Sequence, residues 1–384
     1  MGEHPFDRVT EAELRKRQSA KWRAFPDDVL PAWVAEMDYP IAEPVKRVLR
    51  DALDVEDAGY ADPRGLGEAF SGFALRTWTW AVAPSDVRVA PDVVTALGEL
   101  LHVVTAPGDG IVIDPPVYAP FAATIRRLHR KVVETPMART ESGGFTLDLD
   151  AIERAYAAGA KAHVLCSPHN PTGVVHARET LARVAEMAAH HGVLVLSDEI
   201  HAPMTYAETT HVPFPTVSAE AARQSIVLTS ASKTWNLAGL KAAMMVACDD
   251  APRALLERLP PDLPYHAGHL GVLGGRAALE HGGEWLTTTM QILDRNRHLL
   301  SQLLSEHLPN ARYELPRASY LAWIDCGKLG LGLDPARVFL ERGLVALSGG
   351  LAFGTNGEGF ARLNLATSRT LLEEAVRRMA IATK

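Results

Sequence analysis

Cysteine is scarce in this chain: Cys166, Cys248 and Cys326 are the only three among 384 residues. They stand far apart, none at metal-ligand spacing. Each lies in or beside an apolar run, where a thiol behaves as a small hydrophobe. That excludes a disulfide framework and fits a reducing cytoplasm. Long hydrophobic runs are also missing. None approaches the roughly 20 residues a bilayer-crossing helix needs, so no membrane partner is expected. Positive charge is short as well: 39 Lys and Arg against 46 Asp and Glu give a net charge of -7. No basic stripe offsets it, which argues against a nucleic-acid partner. The one basic cluster, RKRQSAKWR, reads as a solvated helix face. The opening MGEHPFDRVTEAEL is polar and acidic, unlike a secretory signal. There is no internal repeat and no low-complexity linker.

What remains is an ordinary globular composition, 47% hydrophobic, in a chain long enough for two domains. Six short apolar runs punctuate residues 85–250: GIVIDPP (110–116), KVVETP from Lys131, HVLCSP from His163, VLVLSDEI from Val193, SIVLTS from Ser225 and AAMMVACD from Ala242. They are continuous, not alternating, as expected of a mostly parallel sheet covered on both faces. Helical patterns lie between them. Residues 177–191 put Leu181, Val184, Ala185 and Ala188 on one stripe, and Gly192 follows as a C-cap. This alternation predicts a layered α/β domain. Beyond residue 285 the pattern changes to a long helix (285–308), a strand YLAWIDC, a helix from Asp334, a strand ARLNLA and a closing helix from Leu371. That predicts a smaller α+β domain packed with the N-terminal arm. The expected division is 1–45 for the arm and part of the small domain, 46–284 for the large domain and 285–384 for the small one.

The chemistry concentrates at expected strand ends, where open α/β sheets carry their sites. SASKTWNLAGLK places Lys233 after an apolar run, with Ser230 and Ser232 before it and Lys241 eight residues on. An ε-amine condenses with an aldehyde, and hydroxyls with a second cation suit a phosphate ester. Together they point to pyridoxal 5'-phosphate (PLP). Asp198 ends VLVLS, where it either holds a pyridine nitrogen protonated or caps the next segment. Asn170 in SPHNPTG either donates to the cofactor's ring oxygen or makes an Asx-Pro turn. His201 could reach the same oxygen or the ring face, or be structural. Val93 and Val94, opening a helix after APD, would aim backbone N–H groups at the phosphate. Tyr118, after a double proline, is either a stacking ring or core. Arg362 alternates with apolar neighbours in FARLNLA and needs a partner, either a substrate carboxylate or an ion pair. His266 and His269 are not expected to bind metal, and no metal site is expected.

These motifs resemble the fold-type I PLP enzymes, the aspartate aminotransferase superfamily, and within it the MalY/PatB branch of cystathionine β-lyases. WVAEMDYP (33–40), PPVYAPF, SPHNPTG, LSDEIH, SASKTWNLAGLK, SYLAWIDC and FARLNLATSR follow in that family's order over nearly the whole chain. The resemblance implies a seven-stranded sheet between helices plus a small domain, and an obligate homodimer with sites at the interface. It implies Lys233 as Schiff-base lysine, Asp198 as pyridinium partner, Asn170 as ring-oxygen donor, Tyr118 as stacking ring and Arg362 as carboxylate clamp. Tyr60, in GYADPRG, would reach the phosphate of the neighbouring subunit. The implied activity is α,β-elimination from cystathionine or another S-substituted L-cysteine, a small amino-acid substrate. Transamination is the alternative within the class, and a regulatory binding protein with a vestigial PLP site the alternative outside it. The chain departs from the family pattern at Glu36, Tyr39, Val174, Pro203, Met204, Trp235 and Ser319. Pro203, Met204 and Trp235 are expected to reshape the pocket.

Overall fold

The computed structural model describes residues 5–141 and 143–384. Its centre is a seven-stranded sheet: β1 (Val87–Ala90), β2 (Gly110–Ile113), β3 (Lys131–Glu134), β4 (Ala162–Cys166), β5 (Leu194–Asp198), β6 (Ser225–Thr229) and β7 (Ala243–Val246), in the order β1-β7-β6-β5-β4-β2-β3. Strands β2 to β6 pair in parallel, while β7 runs antiparallel to both of its neighbours. The continuous apolar runs follow from burial on two faces. Ala162, Val164, Leu194, Leu196, Ile226 and Leu228 enter one core with the helix Val93–Val104. Leu165 and Val195 enter the opposite core with the helix Arg178–His191, whose buried stripe holds Leu181, Val184, Ala185 and Ala188. Successive residues of a strand point to opposite faces, so both positions must be apolar. Gly192 ends that helix at φ 66°, a left-handed cap that glycine takes without strain.

All six anticipated runs form strands. The seventh, β1, is an addition to that reading: only four residues long and interrupted by Arg88, it lies at the sheet edge with its first two residues partly buried.

A second, antiparallel sheet orders Arg312–Tyr313, Leu321–Asp325, Phe360–Asn364 and Ser348–Gly349. The helices Gly283–His307 and Arg369–Ile381 pack with it, in a core that also takes Phe6, Leu14 and Trp22 from the N-terminal arm. Arm residues Leu30–Pro31 pair in parallel with Val345–Ala346. From there residues 33–37 run as a strap towards the ends of the large sheet.

Trp235 and Met204, two of the departures, turn out to be core residues. Trp235 is buried, packs edge-on against Phe73 and donates from its indole Nε1 to the Gly282 carbonyl at 3.0 Å. Met204 is wholly buried among the small-sheet residues. Neither these two nor Pro203 lines the cavity described below, so the expected reshaping of the pocket does not occur through their side chains.

The strap is anchored by a buried ion pair. Lys21 Nζ lies 2.8 Å from Asp38 Oδ2, with both side chains almost fully buried. Lys21 also donates to the Glu36 carbonyl and Trp22 Nε1 to Asp38 Oδ1. Removing one partner strands the other charge. Lys21→Met is therefore expected to lower unfolding free energy by about 3–5 kcal/mol, read from the denaturant midpoint.

Candidate active site

A cavity of about 410 Å³ opens beyond the C-terminal ends of β4, β5 and β6. Asp198 closes β5 opposite Cys166 of β4, and its Oδ1 accepts the Ile200 N–H at 3.1 Å. Burial pushes its carboxyl up to about 7, against the pull of that N–H and of Lys233. The neighbouring Glu199 faces the other way. It pairs with His211 at 2.8 Å and accepts from Ser197 Oγ and the Phe214 N–H, so of the two acids only Asp198 lines the cavity.

Lys233 lies in a short helix, Ala231–Thr234, that starts directly after β6. Ser230 caps it, accepting the Ser232 N–H at 3.0 Å and donating to the Ala242 carbonyl at 2.6 Å. Lys233 Nζ donates to the Ala35 carbonyl of the strap at 3.1 Å. Desolvation, with the nearby Arg362 cation, lowers its pKa to about 8. Among the described residues it forms no ion pair.

The helix Val93–Val104 points its N-terminus at the same space. Asp92 caps it through the Thr95 N–H at 2.8 Å, so the amides of Val93 and Val94 keep no intrahelical acceptor. Lys241 Nζ reaches Asp92 Oδ2 at 3.2 Å. Val93, Val94, Ser230, Ser232 and Lys241 all line the cavity.

Arg362 closes the opposite wall from the small sheet. It is only 6% exposed and has no carboxylate partner among the described residues. Nη1 donates to Asn170 Oδ1 at 3.0 Å. Nη2 donates to the Trp33 carbonyl at 3.0 Å and to Ser348 Oγ at 3.1 Å. Nε is buried and unpartnered. The Phe353 ring lies under the guanidinium at 4.9 Å. Burial lowers its pKa to about 10, opposed by Tyr118 and Tyr320. Tyr118 lines the cavity edge-on to Phe121, and burial raises its phenol. His201 lines it too, held by Ser319.

Eleven of the twelve anticipated side chains thus meet in one cavity. Tyr60 does not; it is 89% exposed, outside the cavity of its own chain. Asp92, Val34, Ala35 and Ser319 were not anticipated. The Asp-Val-Val sequence carried a visible N-cap signal for Asp92. The strap acts through main-chain carbonyls, which no residue type announces.

Fold and site together define an enzyme with a depressed-pKa lysine facing an aspartate at the ends of a mostly parallel sheet. The family model for aminotransferase class I and II matches residues 36–379, and the chain belongs to that family. A relative from Mycobacterium leprae (strain TN) is 41% identical, over 99% of this chain and 98% of its own. The cystathionine beta-lyase of Corynebacterium glutamicum is 35% identical, over 96% and 97%. The solved PLP-bound C-S lyase of Staphylococcus hominis superposes with a TM-score of 0.90 at 26% identity, covering 99% of each chain. The family membership and fold expected from the motifs are borne out.

Only a neutral amine attacks a carbonyl carbon. In cofactor-free protein, reductive methylation of Lys233 with formaldehyde should rise with pH through a midpoint near 8, well below the range of ordinary lysines. Peptide mass mapping across a pH series reads this directly.

Proposed function

We propose that this chain is a PLP-dependent C–S β-lyase, cleaving cystathionine or another S-substituted L-cysteine to a thiol, pyruvate and ammonia. The observation that carries the reading is Arg362, a buried guanidinium with a free Nε–H and no carboxylate in contact. Such a cation is costly unless a ligand's anion completes it, and an α-carboxylate has the matching geometry.

The residues fit the cofactor. Lys233 offers the amine for its aldehyde, and Asp198 is placed for the ring nitrogen. Asn170 and His201, which line the same cavity, would donate to its ring oxygen and Tyr118 would stack on its ring. Val93, Val94, Ser230, Ser232 and Lys241 are the phosphate donors. Bound there, the cofactor supplies an electrophilic carbon and a ring that accepts the electron pair left when the Cα–H bond breaks. The protein does the rest. Arg362 holds the α-carboxylate and thereby turns Cα–H towards Lys233. Lys233, with a pKa near 8, takes the Cα proton as general base. Beside a cationic ring nitrogen the Asp198 carboxyl is drawn down from about 7 and stays ionised. Tyr118 or the protonated Lys233 returns a proton to the departing sulfur. Loss of the thiol leaves 2-aminoacrylate, which water converts to pyruvate and ammonia.

A homodimer belongs to the same proposal. Tyr60, at 89% exposed, and Tyr265, at 54%, are large rings left in water by one chain. Tyr60 from the partner would join the phosphate donors. The division 1–45, 46–284 and 285–384 and a cytoplasmic location complete the proposal. The arm's pairing with Val345–Ala346 and the three free cysteines support them.

The test uses PLP-loaded protein with L-cystathionine or an S-alkyl cysteine and no keto acid. Sustained, equimolar thiol and pyruvate are expected. Arg362→Lys should keep the bound cofactor's absorbance yet lose on the order of 10²-fold in kcat/KM, as a two-pronged clamp becomes a point charge. A single turnover to the pyridoxamine form without thiol would instead identify an aminotransferase.

A further inference from the structure

His201 and Ser319 form a pair that neither the fold nor the Arg362 clamp requires. Ser319 Oγ lies 3.1 Å from His201 Nδ1, with both residues at least nine-tenths buried. Ser319 comes from the loop leading into the small-sheet strand Leu321–Asp325, and His201 follows β5. The contact therefore crosses between the two sheets.

The hydrogen-bond inventory fixes its direction. Two cations, Lys233 and Arg362, face the imidazole, and Tyr320 packs edge-on at 6.2 Å. Asp198 and Tyr118 share the cavity with it. Burial and the two cations hold the imidazole neutral, with its pKa lowered to about 3. A neutral ring carries one proton, on either Nδ1 or Nε2. If Nδ1 carried it, Ser319 Oγ would accept, and its own buried hydroxyl proton would have no acceptor among the described residues. If Ser319 donates to Nδ1, the hydroxyl proton and Nδ1 are both satisfied. The ring proton then sits on Nε2, which has no protein partner among the described residues.

The backbone sharpens the point. Ser319 adopts φ 73°, a left-handed conformation that glycine takes far more readily than serine. Its N–H donates to the Met204 carbonyl at 2.9 Å, and Tyr206 Oη donates to its carbonyl at 2.8 Å. These two hydrogen bonds hold the strained backbone in place and so fix where the hydroxyl points.

We propose that Ser319 is a positioning residue that locks His201 in the Nε2–H tautomer, making the imidazole a second donor, beside Asn170, to the ring oxygen of bound PLP. This rests on the cofactor reading above. A donor at that oxygen stabilises its anionic form and so favours loss of the proton from the lysine-bound cofactor. The pH midpoint of the cofactor's visible absorbance is thereby lowered.

The test is a pH titration of that absorbance in the holoenzyme. Ser319→Gly removes the hydroxymethyl group at a position whose φ of 73° glycine accepts without strain, so the fold is kept. Its midpoint should rise by about one pH unit, the scale of one hydrogen bond to a charged group. Ser319→Ala keeps Cβ and removes the hydroxyl alone, and should shift the midpoint as Ser319→Gly does, tying the effect to the hydroxyl. In ¹⁵N-histidine-labelled holoenzyme, His201 should be protonated at Nε2 in the parent and mixed in Ser319→Gly. A normal visible band whose midpoint and tautomer do not change in Ser319→Gly would overturn the role of Ser319 and leave the cofactor reading standing. Absence of any lysine-bound visible band in the parent would overturn both.

Discussion

A buried cation with no counter-ion among the described residues organises this molecule. Arg362 sits on the second strand in from the edge of the small sheet, and its guanidinium is held by neutral groups drawn from distant segments. Trp33 supplies a carbonyl from the strap, Ser348 a hydroxyl from the adjoining strand, and Asn170 an amide oxygen from beyond β4, all to the Nη groups, while Nε stays unpartnered among the described residues. Phe353 gives it an aromatic face. Each of these tethers also joins the small sheet or the arm to the wall of the cavity. Phe353 does so twice, because its carbonyl accepts the N–H of Val117, the neighbour of Tyr118, at 2.8 Å. A carboxylate from the protein would have satisfied the charge more cheaply. Its absence leaves the charge for a ligand.

The strap is the second half of the same construction. Side chains of residues 33–37 hold it to the arm and core, Trp33 against Phe25, Glu36 accepting from Ser19 Oγ and Met37 wholly buried. Their carbonyls meet Arg362, Lys233, Tyr320, Asn364 and Asn236. The buried Lys21–Asp38 pair fixes one end, and the parallel pairing of Leu30–Pro31 with Val345–Ala346 fixes the other. Lys233 thus rests against a main-chain oxygen, not a carboxylate. A hydrogen bond of that kind holds the amine in place without raising its pKa as an ion pair would. Desolvation is then free to bring the amine near neutrality.

Much of this was legible in the amino-acid order. The five interior strands read clearly because burial on both faces forces unbroken apolar runs, and the edge strand Lys131–Glu134 through its Val-Val pair. Lys233, Asp198, Asn170 and Arg362 read clearly because each is a polar residue set at the end of, or within, such a run. The edge strand Val87–Ala90 was missed, since four residues interrupted by Arg88 make no apolar run. Asp92 was passed over beside the more suggestive Val93 and Val94. Trp235, Pro203 and Met204 looked like pocket residues because they adjoin motif residues. In a helical turn, however, neighbours point in different directions, and Trp235 turns into the core against Gly282. The strap was recognised as a motif, but its work is done by carbonyls that any sequence would carry. Tyr60 depends on a second copy of the chain, which no single-chain geometry supplies.

The central claim is that the cavity holds PLP as an imine on Lys233. Borohydride reduction of the holoenzyme, followed by proteolysis and mass mapping, tests it most directly. A single phosphopyridoxyl label on the peptide containing Lys233, absent in Lys233→Ala, is the expected result. A label on another lysine, or none in a protein that still turns over an S-substituted cysteine, would contradict it.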